Sequence, residues 1–395
     1  MAGQKKGVFK ELISPFLDAK IQEAETKFGA GSPQHLALTL QYVTDPREDH
    51  IEPGRERRRH YEAELLQDAS GATLKGVERL YRRTALIEPS TVCAANCRWC
   101  LRGQYPTFTM SAAQITDAAK YFGSPEVRDD LREILITGGD PFMVRVLLEY
   151  TIDQIVMHAP NIEIIRIGSR IPTQDPVRVN DALLAVLTKY RHIRVEVGTH
   201  INHPIEFWPE SVEAFRRITD RGIRIYNQHP LLKGVNDDLP VLSEMYDLMR
   251  HCAIEAHYLF HCIPMRGMQH HRTTVAKGLE LIRALVSSGK FSGRAKPQFF
   301  AMTDIGKVPF YEGTIVDRKG RDLLLQSGYR LEDRLQWNPT WQMPEAALVD
   351  EQGYLRVWYP DGQGDQEAEG QAGGGAPNAG HSPELPVPVE FVRRK

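Results

Sequence analysis

Three cysteines stand within eight residues, Cys93, Cys97 and Cys100, in the run TVCAANCRWCLR. Their C-x3-C-x2-C spacing on a short loop suits three irons of a cubane iron–sulfur cluster, because soft thiolates select such clusters. A cubane has a fourth iron, so one corner stays open for another ligand. Two other readings remain on spacing alone: three unrelated buried thiols, or zinc. Zinc would want a fourth Cys or His at finger spacing, and none stands nearby. A further polar element, Thr137-Gly138-Gly139-Asp140, follows about 38 residues after the last cysteine. Three more apolar runs end on polar residues: Gly168-Ser169-Arg170, Thr199-His200 and Asn227-Gln228.

Something must bring these groups together. Apolar or β-branched runs at 84–88, 133–137, 162–167, 193–199, 223–226, 254–261 and 297–303 read as strands. Amphipathic stretches at 111–122, 143–158, 179–190, 209–221, 238–251 and 273–287 read as helices between them. Six strand–helix repeats are the signature of parallel βαβ units. An open doubly wound sheet and a barrel both fit. The polar strand ends favour a barrel, where such ends converge on one C-terminal face.

The rest of the chain bounds the function. With 395 residues, 42% hydrophobic and 25% charged, composition is that of a globular protein. A net charge of −2 gives no reason to expect nucleic acid or an anionic membrane as partner. No apolar run nears the ~18 residues of a membrane span, and MAGQKKGVFKEL lacks a signal-peptide core. A cytoplasmic location with reduced thiols is expected, and five cysteines are too few for a disulfide scaffold. Residues 1–78 read as a helical region, with Val8, Leu12, Ile13 and Phe16 at helical spacing. The run RERRRHYEAELL (55–66) reads as a solvated helix face. The barrel is expected over 79–310, a C-terminal extension over 311–360, and a disordered Gly/Pro/acidic tail over 361–395.

The cysteine spacing resembles the defining motif of radical S-adenosylmethionine (SAM) enzymes. That resemblance implies a partial (β/α)6 barrel, a [4Fe–4S] cluster, and SAM at the open iron, cleaved after one-electron reduction. Gly138, Gly139 and Asp140 resemble the family's Gly-Gly-Glu element for the methionine amino group, with Asp for Glu. The stretches CRWCLR, ILITGGDP, IIRIGSRIP, GTHINHP, NQHPLLKGVND, HRTTVAKGLELI and IGKVPF further resemble the lysine 2,3-aminomutase family. They run collinearly from roughly residue 44 to 340. This family adds pyridoxal phosphate (PLP), bound covalently by a lysine that matches Lys307. It also implies Arg79 and Arg83 for the PLP phosphate, Arg102 for the substrate carboxylate, and His200 and Gln228 for SAM. The implied reaction migrates the α-amino group of an amino acid to its β-carbon. The implied partners are an amino acid, a one-electron donor such as flavodoxin or ferredoxin, and a second copy of the chain. A different outcome on an unusual amino acid, or a cluster-bearing binding protein, are the alternatives.

The match breaks at three places. Lysine-acting members hold the distal ammonium with two aspartates, where this chain has Ile263 and Met302. Two apolar residues cannot compensate an ammonium, and burying it unpaired costs several kcal/mol. Asp304 is a candidate substitute, and Arg266 and His271 are candidates to pair an acidic side chain. The loop before Lys307 is about two residues shorter and keeps only Gly306. Asp238 stands where the family's structural zinc takes a barrel cysteine, so that zinc is not expected. Cys252 and Cys262 are expected to be buried and inert.

Overall fold

The computed structural model describes residues 10–50, 52, 66–68, 70–79, 81–101, 107–291 and 296–364. The charged run 55–65, Arg102 and the tail from 365 lie outside them. The first helix begins later than its apolar spacing predicts. Ser14 caps it by accepting from Leu17 N, Pro15 takes the first helical position, and Leu12 and Ile13 precede it. Helices Pro15–Phe28 and Pro33–Tyr42 follow. The helical expectation fails for 66–76, where turns and an isolated Gln67–Thr73 bridge replace it. Gly71 there has φ +84°, which interrupts a helix.

Among the described residues nine strands form one sheet, in spatial order identical to chain order. They are β1 (Val77–Glu78), β2 (Thr84–Ser90), β3 (Glu133–Gly138), β4 (Ile164–Gly168), β5 (Arg194–Thr199), β6 (Arg224–Leu231), β7 (Ile254–His261), β8 (Gln298–Thr303) and β9 (Gly306–Pro309). Strands β2 to β8 are parallel, and β1 and β9 pair antiparallel at the two edges. A doubly wound sheet reverses its strand order at a switch point. This one never does, so successive crossovers curl it into the expected partial barrel. Every expected strand is present. Strand β6 runs on through Pro230, past Asn227 where its pairing with β5 ends, so that beyond this point it pairs on the β7 side.

Alternation sorts the two faces. Ile134, Ile136, Ile165, Ile167, Val197 and Ile225 are buried against the helices, while Glu133, Leu135, Thr137 and Arg166 point half-exposed into the lumen. The C-terminal extension is a second, antiparallel sheet that the sequence reading left unassigned. It comprises β10 (Ile315–Lys319), β11 (Asp322–Arg330), β12 (Ala347–Val349) and β13 (Tyr354–Pro360). Packed structure continues to Gly364, with Asp361 accepting from Val275 N at 2.8 Å. No helix of the described residues is long and apolar enough to cross a membrane.

Candidate active site

The cysteine loop leaves the end of β2 and is fastened to the end of β3. Gly139 N donates to Ser90 O at 2.7 Å and Asp140 N to Val92 O at 2.8 Å. A Cβ on Gly138 would stand 2.4 Å from Ser90 O, and one on Gly139 2.2 Å from Val92 O. The glycines are therefore what allows β3 to lie against the loop. Gly139→Ala is expected to cost about 1–3 kcal/mol by overpacking and to lower iron uptake. Melting and iron content equal to wild type would show that the loop can yield.

Asp140 is buried, and its carboxylate is already taken. It accepts from Ser169 Oγ (2.8 Å), Phe142 N (3.0 Å), Arg170 N (2.6 Å) and Ile171 N (3.1 Å). Burial raises its pKa to about 6 against the lowering pull of these donors. Its visible work is to join the ends of β3 and β4, not to reach outward.

The three thiols lie close enough to act on one another. Burial pushes the Cys93 thiol up, and Cys100, Asp140 and Cys97 add to it. Three thiolates there need a compensating cation, which cluster iron supplies. Cys97, the most buried of the three, receives Arg170 Nη1 at 3.0 Å and Gln174 Nε2 at 3.3 Å. The donor set therefore fits a cluster. Cys262 is buried as expected but Cys252 only half-buried, and burial raises their pKa values to about 12 and about 11.

At the other end of the mouth, β8 and β9 form a hairpin whose turn is Asp304-Ile305. This tight turn is the physical form of the shortened loop. Gly306 adopts φ +113° beside the Tyr329 ring, and Thr303 Oγ1 donates to Gly306 O at 2.7 Å. Strand β11 clasps the hairpin: Tyr329 OH donates to Lys307 O at 2.8 Å. Arg334 Nη2 secures Ile305 O at 2.9 Å. Lys307 turns into the lumen, its Nζ 4.7 Å from the Tyr258 ring centroid and 5.5 Å from that of Phe260. Burial lowers its pKa to about 8, Arg166 adding to the effect and Glu133 opposing it. A desolvated amine of this kind fits the covalent attachment of PLP.

Trp99 and His200 bridge the two ends. Their rings stack at 5.3 Å and 15°. Burial lowers the His200 pKa to about 3, with Arg170, His229 and Lys307 contributing, so the imidazole is neutral. Gln228 lies against Gly198, where a Cβ would come 3.2 Å from its Nε2.

Arg79 and Arg83 do not join this arrangement. Arg79 is buried and gives Nη1 to Trp337 O and Nη2 to Arg82 O, each at 3.0 Å, tying β1 to the C-terminal extension. Arg83 is exposed and precedes the first residue of β2, at the end of the barrel opposite the mouth. The arginine beside Lys307 is Arg166, paired with Glu133 at 2.6 Å on the lumen wall, its Nε without a hydrogen bond. Sequence reading missed it because a charged residue inside a strand signals nothing until the strands curl. His271 is fully buried with its pKa well below the usual value, chiefly by desolvation, and neither ring nitrogen has a hydrogen-bond partner among the described residues. Arg266 is exposed.

A barrel of sequentially ordered parallel strands with a thiol loop after its first parallel strand defines a radical SAM enzyme. The family model described as the Radical SAM superfamily matches residues 87–242. A putative L-lysine 2,3-aminomutase of Aquifex aeolicus is 35% identical over 260 residues, covering 64% of this chain and 68% of that protein. The L-lysine 2,3-aminomutase of Acetoanaerobium sticklandii is 33% identical over 269 residues, 66% of this chain and 63% of its own. The glutamate 2,3-aminomutase of Clostridioides difficile is 30% identical over 256 residues, 63% of this chain and 58% of its own. The chain belongs to the lysine 2,3-aminomutase family of radical SAM enzymes. Membership implies a [4Fe–4S] cluster and SAM.

Proposed function

We propose that this chain is a PLP-dependent 2,3-aminomutase acting on an α-amino acid other than lysine. The observation that carries the reaction class is the shared mouth: Trp99 of the cysteine loop stacks on His200, which lies within electrostatic reach of the desolvated Lys307. Bound there, the cluster with SAM supplies one-electron hydrogen abstraction, and PLP supplies a π-system that carries the migrating nitrogen. Cys93, Cys97 and Cys100 would hold the cluster, and Lys307 would hold PLP. Arg166, whose charge reaches Lys307, has an Nε without a hydrogen-bond partner among the described residues, and this donor could serve the phosphate. Arg102 remains the sequence-based assignment for the substrate carboxylate, where a bidentate guanidinium fixes orientation. Neutral His200 can accept or donate one hydrogen bond without adding charge. An electron donor such as flavodoxin or ferredoxin would reduce the cluster.

The substrate reading rests on Met302 and Ile263. Met302 pairs across the hairpin with Lys307, and Ile263 follows the end of β7 at the same mouth. Neither compensates a buried ammonium. The test is an anaerobic product assay with reconstituted cluster, PLP, SAM and reductant. Lysine, glutamate, arginine, ornithine and neutral amino acids are offered, and β-isomers are sought by mass. A neutral amino acid is expected to give the best kcat/KM. Lysine as best substrate would overturn the substrate assignment. SAM consumed with no β-isomer from any amino acid would overturn the aminomutase reading.

A further inference from the structure

Two donors from one short segment converge on a single cysteine sulfur. Arg170 Nη1 and Gln174 Nε2, four residues apart, both aim at Cys97 Sγ, at 3.0 and 3.3 Å. Both donors are buried, at 7% and 2% exposure, and both are clamped from behind. Arg170 Nη2 donates to Gln41 Oε1 at 2.5 Å and Glu206 Oε2 at 2.8 Å, and its Nε to His200 O at 2.8 Å. Its guanidinium lies 4.9 Å from the Tyr42 ring centroid and 5.3 Å from that of Trp99. Gln174 is anchored through its main chain, whose carbonyl accepts from Ser14 Oγ. Burial works against the charge on Arg170, but Tyr42, Cys97 and Glu206 outweigh it and keep the group cationic. Assembling two clamped donors on one thiol has no packing rationale that an apolar side chain would not meet at lower desolvation cost.

We infer that Arg170 and Gln174 set the reduction potential of the iron–sulfur cluster by hydrogen-bonding the Cys97 thiolate. Donors to a ligand sulfur draw electron density away from iron and favour the reduced state. They are positioning residues acting through Cys97, not groups that touch substrate. The segment that tunes the cluster also receives the Asp140 carboxylate at Arg170 N and Ile171 N, so electronics and loop geometry are fixed by the same five residues.

The test is a dithionite titration of the reconstituted full chain, reading the one-electron-reduced cluster by electron paramagnetic resonance. Gln174→Leu removes one neutral donor and leaves the ion pair of Arg170 intact. It is expected to shift the reduction equilibrium about tenfold toward the oxidised cluster, about 59 mV for one electron. Arg170→Met removes a donor and a positive charge and is expected to shift it further in the same direction. If Arg170→Met fails to load iron, Gln174→Leu alone decides. A fully loaded Gln174→Leu cluster at the wild-type potential overturns the inference. The inference rests on a cluster at the triplet, whose failure reads differently: a wild-type chain that takes up no iron.

Discussion

Cys97→Ala is expected to yield a folded protein that takes up no four-iron cluster and cleaves no SAM. Of the three thiols it is the most enclosed, 9% exposed, between the helix Pro15–Phe28 and the donors Arg170 and Gln174. Removing it leaves two ligands, too few for a cubane with one open corner. It also leaves two buried donors without their acceptor, at roughly 1–3 kcal/mol each. The measurement is iron and sulfide per chain, with 5′-deoxyadenosine release under reducing conditions. Cys252→Ala is the control and should keep both at wild-type levels, since that thiol lies after the helix Leu239–His251, away from the loop. Full iron loading in Cys97→Ala would remove the triplet from consideration as the cluster site.

The second large effect concerns Lys307. Lys307→Ala should retain the cluster and its uncoupled SAM cleavage but lose bound PLP and all β-isomer formation. Uptake of PLP by the wild-type chain should also depend on pH in a defined sense. The neutral amine is the reactive form, so uptake rises as pH climbs through the lysine's pKa, about 8, and is level above it. At pH 8 half the amines are free, whereas at the ordinary value of 10.5 only about one in 300 would be. Absorbance of the bound cofactor from pH 6.5 to 10 measures this. A midpoint near 10 would mean that the lysine is solvated and that desolvation by Tyr258 and Phe260 does not operate. PLP retained by Lys307→Ala would move the attachment elsewhere.

How much of this could be read beforehand follows the range of the interactions. Strands β2 to β8 and the helices between them were legible because hydrophobic periodicity is local. The cysteine loop was legible because its ligands are neighbours in the chain. The second sheet was missed, although Tyr354 to Pro360 alternates half-buried and buried residues without a break. In the sequence Trp358 and Tyr359 blur that alternation, since both faces carry aromatic residues. The arginines show the limit more sharply. Arg79 and Arg83 stood out by spacing, yet one ties down main-chain carbonyls and the other faces solvent. Arg166 gave no local sign, and Arg170 showed only as a polar strand end, because their partners lie 33 residues back at Glu133 and 73 back at Cys97. Several motif blocks proved structural: Asn227 and Asn236 pin the strand-end loops through Ile201, Leu232 and Asn202.

The clasp on the lysine hairpin sets an order of assembly along the nascent chain. The donors that hold Cys97 come from Arg170 and Gln174, whereas the groups that secure the hairpin come from Tyr329 and Arg334. At roughly 5–20 residues per second of synthesis, some 123 residues separate Glu206, the last of the groups that hold Arg170, from Tyr329. The residues around Cys97 are thus all synthesised while the clasp on Lys307 is still being made. A chain arrested between the two would carry the cysteine loop and its donors but lack the clasp that holds the lysine hairpin.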